Sequence, residues 1–261
     1  MSSPLVLVHG NPESSAIWRP LLATLTRDAV PLSPPGFGAP IPHGFDCTPR
    51  AYRDWLTSSL ESLGEPVDLV GHDLGGAAVL GVAMTRPDLV RTWASDSIGV
   101  LHPDYVWHDL ARTWQTPGRG EALVEEVLGG DLADRSQRLV EYGLPPDVAA
   151  DVAAVQDEAM RRAVLAFYRS AAQPVMADLG QGLEGAARRR GLVVIGADDD
   201  LVGTSAMARE SAARAGADVL EIDGAGHLWM VQRPERVARA LEAHWHRADT
   251  AGPRATPQQE T

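Results

Sequence analysis

The sequence predicts an α/β fold: a doubly wound, mostly parallel sheet with an inserted helical cap. Short apolar runs alternate with helix-length segments along most of the 261 residues, the order expected of parallel strands joined by crossover helices. The runs are nearly continuous in apolar character, as strands buried on both faces are. One long interval, 99–179, contains no such run.

Taken in order, strands are expected at 5–8, 67–70, 92–95, 192–195 and 219–222, with helices at 17–25, 50–63, 75–85, 205–215 and 234–246. Within the interval the pattern reads as helices at 120–128 and 134–142 and one long helix at 146–170, after a stretch, 102–114, rich in aromatics and histidine. The expected organisation is a core of 1–98 and 180–247, a cap of 99–179 inserted after the strand at 92–95, and a flexible Pro/Thr/Gln-rich tail at 248–261.

Composition removes several function classes. The formal net charge is -12, so no basic surplus exists to neutralise a nucleic-acid backbone or to anchor the chain on an anionic membrane. All basic residues are arginine, which excludes a lysine Schiff base and a P-loop lysine. One cysteine, Cys47, rules out an intramolecular disulfide. No apolar stretch approaches a membrane span, and the chain runs from Met1 into its first strand without a signal-peptide pattern. A cytoplasmic protein is expected.

In a doubly wound sheet the ligand sits beyond the carboxyl ends of the strands. The residues there are His9-Gly10-Asn11-Pro12, His72-Asp73, Asp96, Asp198-Asp199-Asp200 and His227, all fit for acid, base or nucleophile work. The segment Val67-Asp68-Leu69-Val70-Gly71-His72-Asp73-Leu74-Gly75-Gly76 is a strand, a sharp turn and a helix, and matches G-x-S-x-G with aspartate in place of serine. Gly71 and Gly75 permit close approach around a strained turn. The positive end of the helix favours a carboxylate at Asp73. Aspartate also suits a plain helix cap; the polar sets at the other strand ends favour chemistry.

The N–H groups of Asn11 and Leu74 are the expected oxyanion donors. His227, in a glycine-rich loop after the last strand, is the expected base. His72 reads as a structural elbow residue, and His244 and His246 as solvated residues of the last helix. The acid orienting His227 is Asp199, with Asp96 as the alternative. Three consecutive aspartates in one loop do not supply a full metal-ligand set, so no metal is expected; no cofactor motif occurs either.

These residues resemble the aspartate-nucleophile branch of the α/β-hydrolase superfamily, which holds epoxide hydrolases and haloalkane or haloacid dehalogenases. The likeness covers nearly the whole chain outside the cap and tail. It implies an α/β-hydrolase fold and a two-step reaction. Asp73 attacks an electrophilic carbon to form an alkyl ester; His227, oriented by the acid, then activates water to hydrolyse that ester.

For epoxide hydrolases the resemblance implies proton donation from cap tyrosines. Ala166-Phe167-Tyr168-Arg169 is similar to the Tyr-Arg that ends their cap, which makes Tyr168 the donor, with Tyr105 or Tyr142 as its partner. His9-Gly10-x-Pro12-Glu13-Ser14 is similar to their oxyanion segment. For dehalogenases it implies N–H donors for halide: Asn11, with Trp107, Trp114 and His108 available from the cap. Both groups commonly carry tryptophan after the nucleophile, where this chain has Leu74.

The expected partner is a small apolar or moderately polar molecule in a pocket lined by Tyr105, Trp107, Tyr142 and Trp229. The first expectation is hydrolysis of an epoxide to a vicinal diol. Hydrolytic dehalogenation and a non-catalytic ligand-binding relative are the alternatives.

Overall fold

In the computed structural model, which describes residues 3–250, six strands form one sheet. They are β1 (Leu5–Val8), β2 (Val30–Leu32), β3 (Val67–Gly71), β4 (Val90–Ser95), β5 (Arg190–Gly196) and β6 (Asp218–Ile222). All pairs are parallel, in the order β2-β1-β3-β4-β5-β6. The helices are α1 (Arg19–Leu22), α2 (Pro49–Glu61), α3 (Asp73–Thr85), α4 (Asp109–Gln115), α5 (Arg119–Leu128), α6 (Leu132–Tyr142), α7 (Pro146–Ala154), α8 (Glu158–Ser170), α9 (Val175–Leu179), α10 (Ser205–Arg214), α11 (Trp229–Gln232) and α12 (Pro234–Thr250).

The period of two along each strand sends alternate residues into two apolar layers. Val6, Val8, Leu69 and Val193 pack on one face with α2, α3, α8 and α10. Leu5, Leu7, Val70 and Val194 pack on the other with Ile17, Trp18, α7, α11 and α12. Because both faces are covered, β1 and β3 are buried along their whole length, which is why their sequences read as nearly continuous apolar runs, broken in β3 only by Asp68, which is paired with Arg27 and Arg91. Between β4 and β5 the described residues hold only helices and loops.

Strand order reverses between β1 and β3, so the loops after these neighbouring strands diverge and leave a crevice at their carboxyl ends. Val8 pairs with Gly71, and this register sets the 9–12 loop beside the turn at 72–73. That turn is tight: Asp73 has φ 51°, in the left-handed region that side chains other than glycine rarely occupy. Strand and helix touch here. A Cβ on Gly75 would lie 2.3 Å from the Val8 carbonyl oxygen, and one on Gly10 would lie 2.3 Å from the Asp73 Cβ.

Several expectations need correction. β2 is a sixth strand absent from the sequence reading; it is a three-residue edge strand containing Pro31 with Val30 46% exposed, so it carries neither length nor apolar continuity. The single helix expected at 146–170 is two, because the Asp157 side chain caps α8 by accepting from the Met160 N–H at 2.8 Å. The helix expected at 17–25 is a 3₁₀ turn, Ser15–Trp18, followed by the single turn of α1, with Pro20 restarting the helix. The last helix runs on to Thr250, through the start of the expected tail; 251–261 lie outside the described residues.

His244 is not solvated. It lies on the inner face of α12 with Val237, Ala238, Leu241 and Trp245, its ring nitrogens have no hydrogen-bond partner, and burial pushes its pKa down to about 4. His246, on the same helix, is exposed.

The contact at Gly75 predicts a direct test of the elbow. Gly75→Ala forces a methyl against backbone that has no rotamer to change, and should lower stability by about 1–3 kcal/mol. Urea unfolding, with Gly182→Ala, where an added Cβ meets open space, as a comparison, measures it.

Candidate active site

The loop after β1 brings Asn11 over the elbow. The Asn11 backbone N–H donates to Asp73 Oδ1 at 3.0 Å, and its side-chain Nδ2 donates to the same oxygen at 2.8 Å. The other carboxylate oxygen, Oδ2, faces His227 Nε2 at 3.8 Å, too far for a hydrogen bond. The two Asp73 oxygens therefore differ: one is held by two donors and the other is open. Leu74, second residue of α3, has no intrahelical acceptor for its N–H and adds the positive helix end beside the carboxylate.

His227 Nδ1 lies 2.9 Å from Asp199 Oδ2, and Asp199 is itself fixed by accepting the Leu201 N–H at 2.9 Å. Asp198 and Asp200 point into solvent. Burial is the strongest influence on His227 and opposes its protonation, as does the nearby His72 cation. The hydrogen bond and charge of Asp199 and the charge of Asp73 outweigh both, so its pKa is raised.

Asp96, the alternative acid, points elsewhere. Its Oδ1 accepts the Asp73 backbone N–H at 2.9 Å and the Ser97 hydroxyl at 2.8 Å. Its Oδ2 accepts the Trp229 indole N–H at 2.6 Å and bonds to His72 Nδ1. The other His72 nitrogen, Nε2, meets Glu13 Oε1 at 3.3 Å, and Glu13 Oε2 accepts the Gly10 N–H at 3.3 Å. Burial disfavours every charge in this set. The flanking carboxylates nonetheless raise the His72 pKa well above its ordinary value, and the His72 cation, with help from His227 and Trp229, brings Asp96 down to about 2. The set is a buried carboxylate–imidazolium–carboxylate chain.

A small cavity of about 20 Å³ lies over Asp73, with room for about one water molecule. Tyr168, Trp107 and His108 line it, together with Leu74, Phe167 and Met176. Tyr168 is buried on α8; burial first, and the Asp73 charge second, raise its pKa well above the ordinary range against an opposing contact with Asn11. His108 caps α4 by accepting the Ala111 N–H at Nδ1, and burial lowers its pKa. The neutral ring then carries its proton on Nε2.

The other expected aromatics take different places. The Trp107 ring lines the cavity, but its N–H donates to the Ala171 carbonyl at 3.0 Å. Tyr105 is buried with its hydroxyl donating to the Leu201 carbonyl at 2.6 Å. Tyr142 is exposed and lines a separate, more open cleft with Asp199 and His227. Trp114 packs on Tyr168, with ring centroids 4.9 Å apart, and does not line the cavity. Trp229 is fully buried beneath the site, its indole committed to Asp96, and is a prop rather than a pocket wall.

Gly10 and Glu13 enter the sequence reading only as members of the segment after β1 that is similar to an oxyanion loop; their part in the charged chain with His72 is given by the structure.

A model of the alpha/beta hydrolase family matches residues 5–240. The chain is similar to (E)-2-((N-methylformamido)methylene)succinate hydrolase of Acinetobacter baylyi, 29% identical over 247 residues and covering 92% of this chain and 89% of that protein. It is similar to a haloalkane dehalogenase of Bradyrhizobium diazoefficiens, 29% identical over 218 residues, 70% of this chain and 66% of that one. Its fold is like that of a haloalkane dehalogenase from Bradyrhizobium elkani, with a TM-score of 0.73 at 23% identity over 96% and 92% of the two chains.

The buried charge chain predicts a pH dependence of stability. Asp96 has a depressed pKa, so its contribution is complete above the ordinary value of 3.8 and is lost as pH falls toward about 2. His72 has a raised pKa, so its contribution is complete below 6.5 and is lost as pH rises through the raised value. The chain should stabilise most between about pH 4 and 6.5. Asp96→Asn should cost about 3–5 kcal/mol and flatten the acid limb, as read from urea unfolding from about pH 2 up to 6.5.

Proposed function

The chain belongs to the alpha/beta hydrolase family, and on that footing we propose that it hydrolyses small molecules through an alkyl ester on Asp73, with an epoxide as substrate and a vicinal diol as product. The observation that carries this reading is the inequality of the two Asp73 oxygens. Oδ2, the open one, attacks the electrophilic carbon as the ring C–O bond breaks, and Tyr168 gives its proton to the departing ring oxygen. The carbonyl of the resulting ester is Oδ1, already held by the two Asn11 donors. His227, oriented by Asp199, takes a proton from water, which attacks Asp73 Cγ. The negative charge of the tetrahedral intermediate falls on Oδ1, where fixed donors stabilise it. Collapse expels the diol oxygen, which takes the proton from His227; the proton left on the Asp73 carboxyl returns to the Tyr168 phenolate, and the carboxylate is regenerated.

A carboxylate suits this chemistry better than acyl transfer, since attack on an amide or ester would have to expel a far more basic leaving group to give a high-energy mixed anhydride. Burial keeps Tyr168 protonated at neutral pH, as a donor must be. Tyr105 and Tyr142 are poorly placed as its partner, the first because its proton is engaged and the second because it stands in another cleft. The His108 Nε2–H is the second donor of this reading.

Hydrolytic dehalogenation is the second reading. The likeness to haloalkane dehalogenases favours it, and Tyr168 and His108 are donors for a departing halide as well. Against it, the Asn11 amide is spent on Asp73 and the Trp107 N–H on Ala171. A panel of terminal epoxides and haloalkanes, read by diol formation and halide release, separates the two. Halide release with no epoxide turnover overturns the first reading.

In a single turnover in heavy-oxygen water, the product should carry no solvent oxygen and Asp73 should gain the label; label in the first-turnover product excludes the ester. His227 must be neutral to act as base, so ester hydrolysis should rise with pH through the His227 pKa, which in the ester lacks the upward pull of the Asp73 charge. Asp199→Asn should move that limb to lower pH and slow hydrolysis by roughly 10²–10⁴-fold, measurable as ester accumulation by intact-protein mass spectrometry.

A further inference from the structure

Behind Leu74 lies a second, larger cavity of about 140 Å³. Four residues, Leu74, Ala77, Phe167 and Met176, line both this cavity and the space over Asp73, so the two spaces share a wall. The hollow follows from the sequence of α3. Ala77, Ala78 and Gly81 share one helical face with Leu74 at intervals of three, four and seven residues, and all four line the cavity. Small residues along that face leave unfilled volume against Phe167 of α8 and Leu179 of α9.

The interior offers little to a polar ligand. The Tyr52 hydroxyl donates to the Pro35 carbonyl at 2.9 Å and the Thr85 hydroxyl to the Gly81 carbonyl at 2.7 Å. The Arg53 guanidinium is paired with Asp54. Arg50, also in the lining, is exposed to solvent. An apolar cavity of about 150 Å³ stays dry and accepts a molecule the size of benzene.

We propose that this cavity is the subsite for the tail of the substrate, and that the substrate is a terminal electrophile bearing an unbranched apolar chain of about six carbons. The proposal rests on the covalent reading above for the position of the reacting carbon. With that carbon at Asp73 Oδ2, the chain passes Leu74 and lies along α3. The Leu74 side chain is thereby the gate between reaction space and tail space.

The test is a series of terminal epoxides and terminal haloalkanes, from three carbons to twelve, with kcat/KM for each. The expected result is a rise of about fourfold per added methylene, levelling once the tail reaches about six carbons. Ala78→Leu on α3 and Leu179→Trp on α9 both narrow the cavity without touching the space over Asp73. In each, the levelling point should move to shorter tails and the hexyl-to-methyl ratio of kcat/KM should fall at least tenfold. Two variants on separate elements guard against one failing to fold.

Benzene, added to the wild type and read as a rise in melting temperature, tests the cavity without turnover. A rise that both variants abolish supports the subsite even where no epoxide or haloalkane is consumed, in which case the covalent reading falls and the subsite stands. Turnover indifferent to tail length, or a benzene effect equal in all three proteins, overturns the subsite while leaving the chemistry at Asp73 intact.

Discussion

Asp96 is the carboxylate on which the arrangement at the strand ends depends. It is buried at the end of β4, yet it accepts from the Asp73 backbone, the Ser97 hydroxyl, the Trp229 indole and the His72 ring. Through His72 it reaches Glu13, which holds the Gly10 N–H. One charged chain thus ties together the loops after β1, β3, β4 and β6. Removing one member of such a chain strands the others without compensation in a low-dielectric interior. The strained backbone of Asp73 persists because these contacts over-determine it. The same contacts explain why Asp96 does not orient His227: its oxygens are already committed.

That leaves Asp199 to hold His227, and the two buried imidazoles take opposite parts. His72 lies between two carboxylates and is held as a cation. His227, with its ring centroid 4.5 Å from that of His72, feels this cation as a force against its own protonation, and Asp199 and Asp73 as forces toward it. In the proposed cycle the second of these changes with the chemistry. Once Asp73 is an ester it carries no charge, and His227 loses part of its reason to hold a proton at the step where it must take one from water.

Helix α3 joins the elbow to the larger cavity. Its first residue is Asp73, and the side chains that follow on one face are small. Close packing against the carbonyls of Val8 and His9 requires glycine at position 75, while the alanines and Gly81 further along leave the hollow. The residue after the proposed nucleophile stands between the two spaces, which gives a physical meaning to leucine at a position where tryptophan is common in the groups this sequence resembles.

Most of the fold was legible because period and burial speak directly through the chain. Five of the six strands lie at their expected apolar runs, four of them buried along most of their length, and the long core helices lie close to their expected spans. Asp73, His227, Asn11 and Asp199 were readable because strand ends face the crevice in a doubly wound sheet. What failed did so for local reasons: β2 is short, exposed and contains proline, α7 and α8 part at a side-chain cap, and His244 reads as polar while its helix turns it inward. The sequence by itself determined which residues stand at the strand ends, since that follows from alternation along the chain. Only the tertiary structure decided which acid meets His227, that Trp229 serves Asp96 rather than the pocket, and that the Tyr105 hydroxyl donates to the Leu201 carbonyl. Those outcomes depend on the direction of hydrogen bonds between segments far apart in sequence, and no pattern within a segment carries that information.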